Sequence, residues 1–183
     1  MKRRQAIKFT TLVVGGTVVG AELFLTGCKN DAAGKLLISE QDVSILDEVG
    51  ETILPETDRS PGAKAAQIGL FMKAMITDCY SEKEQQAFIK GIASLNDTSK
   101  EKYSREFVNL NSEERLSLLL QLDKEANNSS DMIPPHYFTM MKQLTILGYF
   151  TSEPGATKAL RYNPIPGEFI GCIPYKRGDK AWA

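Results

Sequence analysis

The chain has 183 residues, with 42% hydrophobic, 25% charged and 8% aromatic side chains. That ordinary globular balance excludes disordered, collagenous and disulfide-dense chains, and the length suits one domain. A formal net charge of −1 supplies no global field to hold nucleic acid, and one His and three Cys leave little material for a metal site.

The N-terminus reads Met1-Lys2-Arg3-Arg4-Gln5-Ala6-Ile7-Lys8, followed by a weakly apolar stretch over residues 9–24 and then Leu25-Thr26-Gly27-Cys28. A basic start, an apolar middle and a small residue before a cut are the parts of an export signal. Arg3-Arg4 resembles the twin-arginine motif of the Tat pathway, and the Gly/Thr-rich middle fits it. Leu-Thr-Gly-Cys resembles a lipobox, in which Cys28 becomes the lipidated first residue of the mature chain. The expected division is a signal at 1–27, a short polar tether at 28–37 and a single domain at 38–183. The product would be an exported lipoprotein anchored in the membrane of the periplasm or cell envelope. Gly15, Gly16, Gly20 and Glu22 argue against a permanent spanning helix. Cleavage before Cys28 leaves 18 basic against 22 acidic residues. By net charge such a chain gains nothing from an anionic bilayer, so the lipid is expected to hold it.

Helical periodicity dominates residues 39–150. Ser39 with Asp42 starts a capping pattern, and Val43, Leu46, Val49 and Ile53 recur at helical spacing until Pro55 stops the helix. Residues 56–62, with Asp58, Pro61 and Gly62, read as a turn-rich loop. A second helix is expected over about 63–80, with Ile68, Phe71, Met72, Met75, Ile76 and Cys79 on one face. Ser81 with Glu84 resembles the capping box of a third helix, striped by Phe88, Ile92 and Leu95 and broken or ended by the polar run 96–100. Residues 107–110 lead into a fourth, capped by Asn111 or Ser112, with Leu116, Leu119, Leu120 and Leu122 as its core face. After a polar break at 127–131, Pro134 or Pro135 opens a fifth. Tyr137, Met141, Leu144 and Gly148 lie on one side of it, with Phe138 and Thr145 alongside. From Thr151 onward Pro and Gly interrupt every element, while Tyr162, Phe169, Tyr175 and Trp182 recur. The expected fold is all-α: about five helices in one domain with an irregular, Pro/Gly-rich C-terminal strap.

Signatures of chemistry are sparse. There is no C-x-x-C-H, no Cys cluster, no dinucleotide fingerprint, no phosphate loop and no G-x-S-x-G elbow. His136, after two prolines, reads as a capping or partly exposed residue, and Asp78 and Glu82 read as charges at helix ends. No catalytic, cofactor-binding or metal-binding residue is assigned. With Cys28 given to lipid, Cys79 and Cys172 remain in a compartment that permits disulfides. An internal bridge would close a loop of about 93 residues, worth about 4–5 kcal/mol on the chain-entropy model. Two buried free thiols, or a bridge from one Cys to a partner chain, are the alternatives.

One resemblance unites these features. The series Ile53-Leu54-Pro55-Glu56-Thr57-Asp58, Pro61-Gly62-Ala63, Asp78-Cys79-Tyr80, Leu147-Gly148-Tyr149-Phe150-Thr151-Ser152-Glu153, Gly167-Glu168-Phe169 and Cys172 resembles the gluconate 2-dehydrogenase subunit 3 family. The resemblance implies a small accessory subunit of a membrane-associated sugar or polyol dehydrogenase. In such a complex FAD sits in a large flavoprotein of the glucose–methanol–choline type, a cytochrome c subunit often takes the electrons, and the small subunit helps its partner mature and leave the cytoplasm. Tyr149, Phe150, Tyr162, Phe169 and Tyr175 are then the candidate interface anchors, since interface hot spots favour aromatics, together with the loop 55–62. The competing reading is a free-standing surface lipoprotein that binds, for example, a carbohydrate.

Overall fold

A computed structural model describes residues 38–129, 133–165, 167–168 and 170–183. The described residues contain five α-helices: α1 Glu40–Ile53, α2 Ile68–Cys79, α3 Glu82–Tyr103, α4 Ser112–Asn128 and α5 Tyr137–Thr151. Short 3-10 turns at Ala63–Ala66 and Phe107–Asn109 precede α2 and α4, and a π-helical turn at Gly155–Ala159 comes after α5. The described residues contain no strand, only isolated bridges, so the fold is all-α. No described helix is long and apolar enough to cross a membrane.

The helix starts follow from local chemistry. The Ser39 hydroxyl accepts the Asp42 N–H at 3.2 Å while the Asp42 carboxylate accepts the Ser39 N–H at 2.9 Å. Asn111 and Glu114 make the same reciprocal pair at 2.9 and 3.0 Å. Glu84 accepts from both the N–H and the hydroxyl of Ser81, and these bonds hold its carboxyl below the usual carboxylate range. Each box satisfies amides that the first turn otherwise leaves unpaired.

Three expectations are corrected. The second helix is two pieces, because Gln67 turns left-handed (φ 52°, ψ 47°) between the 3-10 turn and α2. Asp47, on α1, accepts the Gly69 N–H at 2.8 Å and so caps α2 from a different helix. The third helix passes through its polar run to Tyr103. There Asn96 accepts the Phe107 N–H at 3.0 Å, and Ser99 donates to the Arg105 carbonyl at 2.8 Å. These side chains hold the returning chain instead of ending the helix. On α4 the core face is Leu118, Leu119, Leu122 and Ala126, whereas Leu116 and Leu120 are exposed. Arg115 takes the inward position and rotates the leucines around it.

The helices α1 and α5 are central, each packing against the other four. Leu46 and Val49 of α1 and Met140, Met141 and Leu144 of α5 are essentially inaccessible, with Phe88, Ile92 and Leu118 closing around them. Burying each such side chain contributes roughly 1.5–3 kcal/mol. Gly148 lets α2 approach α5 closely, since a Cβ there would lie 2.5 Å from Phe71 Cδ1 and 2.6 Å from Ile68 Cδ1. Gly148→Ala is therefore expected to destabilise by about 1–3 kcal/mol, although alanine is the better helix former by about 1 kcal/mol. Urea denaturation measures it.

Candidate partner interface

The acidic edge of α1 organises the loop expected to meet a partner. Glu51 accepts the N–H groups of Glu56 and Lys64 at 2.8 and 2.9 Å. Gly62 sits against this carboxylate, where any Cβ would fall 2.1 Å from Glu51 Oε1. The Thr57 and Ser60 N–H groups each donate to the other's carbonyl, at 2.9 and 3.3 Å, and the Ala63 N–H donates to Leu54 O at 2.9 Å. The Tyr149 hydroxyl donates to Pro61 O. Glu48, one turn before Thr52, accepts from both Lys64 and Arg115. Arg115 also donates to Phe107 O at 3.3 Å and Val108 O at 2.6 Å. The loop is thus a fixed element that presents Glu56, Thr57, Asp58 and Arg59 to solvent.

A second surface lies on α5. No aspartate, glutamate, lysine or arginine occurs between Gln143 and Ser152, yet among the described residues none covers the outer face of that stretch. Ile146 is 46% exposed, Leu147 48% and Phe150 37%, and Leu70 on α2 is 45% exposed beside Phe71, which packs on Gly148. Solvated helix faces carry charges; this one is apolar for two turns.

The expected anchors divide. Tyr149 is buried in the core, with its hydroxyl turned to Pro61, so it supports the loop from beneath and is no exposed anchor. Phe150, Tyr162 and Tyr175 are exposed. Phe169, the Arg3-Arg4 pair and Cys28 lie outside the described residues. The expected internal disulfide is not formed: Cys79 and Cys172 are both free and exposed. The hydrogen bonds that hold the strap's end run to Lys158 and Arg161, just beyond α5, so they give Cys172 no tie to the end of α2. Asp78 and Glu82 are exposed at the facing ends of α2 and α3.

His136 is the N-cap of α5, and its Nδ1 accepts the Phe138 N–H at 3.3 Å. Burial lowers its pKa below the ordinary value of 6.5, against a smaller opposing pull from Glu125. Among the described residues no group of three or more His, Cys, Asp or Glu could hold a metal ion.

The chain matches the family model for gluconate 2-dehydrogenase subunit 3 over residues 40–167. This chain belongs to the gluconate 2-dehydrogenase subunit 3 family. The family is that of a subunit of a dehydrogenase complex, and the match spans all five helices, the clamped loop and the apolar face of α5. Comparison with curated proteins and with solved structures gave no match. The residues that sequence reasoning misses in this family member are Asp47, Glu48, Glu51 and Arg115, whose partners lie far along the chain. Ile146 and Leu147 also escape it, although the uncharged run around them is visible in the sequence.

Two outcomes are expected. Glu48→Gln, which strands Arg115 in a site where both side chains are only 16% exposed, costs about 1–3 kcal/mol. Glu48→Gln with Arg115→Met costs less than the sum of the two single changes in a denaturation cycle. For His136 the neutral form is the one favoured in the folded state. Its contribution is therefore complete above pH 6.5 and is lost as acidification protonates the unfolded chain first. The melting temperature should fall between pH 7.5 and 5.5, and His136→Asn, which keeps a cap, should reduce that slope.

Proposed function

We propose that this subunit grips and escorts a larger, FAD-containing dehydrogenase of the glucose–methanol–choline type. Its twin-arginine leader would take the folded pair across the membrane, and the lipid on Cys28 would anchor it. The observation that carries this reading is membership of the subunit family. The apolar face of Ile146, Leu147 and Phe150, exposed among the described residues, supports it. Exposed aliphatic and aromatic side chains on a rigid helix are what a stable interface of more than about 1,200 Å² needs at its centre.

The escort role has a physical logic. Tat moves folded cargo, and a flavoprotein folds around FAD where FAD is made. A signal on a tightly bound small subunit can therefore serve both chains, and the small subunit needs affinity, not a reaction centre. A cytochrome c subunit would complete the electron path from the flavin. The lipobox supplies an anchor that does not depend on it.

Co-purification from native membranes tests the reading. The wild-type chain should bring down a flavin-containing partner. Ile146→Asp with Phe150→Asp should lose it, with a melting temperature within a few degrees of wild type because both positions are solvent-facing. Arg3→Lys with Arg4→Lys should leave the flavoprotein in the cytoplasm. A flavin-free monomer recovered from the membrane overturns the proposal.

A further inference from the structure

The strap beyond α5 carries a charge pattern that the net charge conceals. Residues 38–157 hold 11 basic and 19 acidic side chains, whereas residues 158–183 hold five basic (Lys158, Arg161, Lys176, Arg177, Lys180) and two acidic (Glu168, Asp179). The fold brings the two ends of this segment together. The Arg161 N–H donates to Ala181 O at 2.7 Å, the Ala183 N–H donates to Arg161 O at 3.1 Å, and Lys180 donates to Lys158 O. The Arg161 guanidinium lies 4.7 Å from the centre of the Trp182 ring. A turn comes after Tyr175, with the Lys176 N–H on Asp179 Oδ2 and the Asp179 N–H on Lys176 O, both at 3.0 Å. The result is a loop pinned at its base.

What the loop displays is apolar and aromatic as well as basic. Tyr162, Ile165, Ile170, Tyr175 and Trp182 are all more than half exposed. Lys158, Lys176, Arg177 and Lys180 are exposed too, and none of them enters an ion pair among the described residues. The match to the family ends at residue 167, before Ile170, Tyr175, the basic turn and Trp182.

We infer that the pinned loop 158–183 is a second, lipid-independent contact with an anionic phospholipid bilayer. Aromatic rings with a polar edge and cations on long stems are the side chains that settle at headgroup depth. There, Lys158, Lys176, Arg177 and Lys180 meet negative lipid charge while isoleucine and tryptophan reach the acyl boundary, Arg161 being held by Asp179 and the Trp182 ring. The irregular backbone suits that depth, where water still satisfies amides, and would not suit the hydrocarbon core. The loop thus takes Tyr162 and Tyr175 away from the protein–protein interface and leaves Phe150 to it.

Trp182 is the sole tryptophan, so its emission reports this loop alone, wherever the leader of the full chain goes. Full-length protein is mixed with vesicles of phosphatidylcholine, or of phosphatidylcholine with one-quarter phosphatidylglycerol. The anionic vesicles should shift Trp182 emission to the blue and brominated lipid should quench it, with both effects weakening in high salt. Lys176→Glu with Arg177→Glu and Lys180→Glu should raise the anionic lipid needed for half the shift by about tenfold or more, while leaving flavoprotein co-purification intact. Ile146→Asp with Phe150→Asp should do the reverse. An unshifted Trp182 on anionic vesicles overturns the inference, as does an equal shift on neutral ones. A shift produced only by the flavoprotein overturns it as well and assigns the loop to the protein interface.

Discussion

One carboxylate ties together three parts of the chain. Glu48 lies near the middle of α1, accepts from Lys64 at the start of the next segment, and accepts from Arg115 on α4. Arg115 in turn reaches the carbonyls of Phe107 and Val108, so the turn before α4 is fixed by the same contact. With Glu48 in place, its neighbours Asp47 and Glu51 meet backbone amides of the loop and of α2. One edge of a central helix therefore does what several independent loop contacts would otherwise have to do. A partly buried ion pair is a costly way to gain stability, and here its effect is geometric: it sets the rotation of α4 and the path of the loop.

That geometry has a consequence for binding. A loop held by carboxylates from below and by the Tyr149 hydroxyl loses little freedom when a partner meets it, which lowers the entropic cost of association. The same holds for the outer face of α5, because its inner face is locked in the core. Both surfaces are rigid, close to the helix that organises the fold, and apolar or mixed where solvent-facing helices are usually charged. This is the arrangement that the proposed escort role requires.

Much of this is legible in the order of residues. The capping pairs at Ser39, Ser81 and Asn111 lie within three residues of their partners, so local reading finds them. The inward faces of α1 and α3 and most of that of α5 follow from spacing, whereas Met140 and Tyr149 of α5 do not. The leucines of α4 mislead because Leu116, Leu118, Leu119, Leu120 and Leu122 offer more than one stripe, and the stripe that is buried is the one on the side where Arg115 meets Glu48 and the carbonyls of Phe107 and Val108. The left-handed Gln67 is hidden for a similar reason: the group that caps α2 is Asp47, more than twenty residues earlier. Polar residues near the end of α3 look like breakers until Phe107 and Arg105 return to meet them.

The sequence by itself determined the fold class, the five helices and the family, because periodicity, capping and motif order are properties of neighbours along the chain. Only tertiary structure decided which aromatic was core and which was surface, left Cys79 and Cys172 as two exposed thiols, and gathered the basic residues at 158–183 into one loop with Trp182. Each of these depends on groups tens of residues apart meeting in space, and no local pattern encodes a distance between such groups.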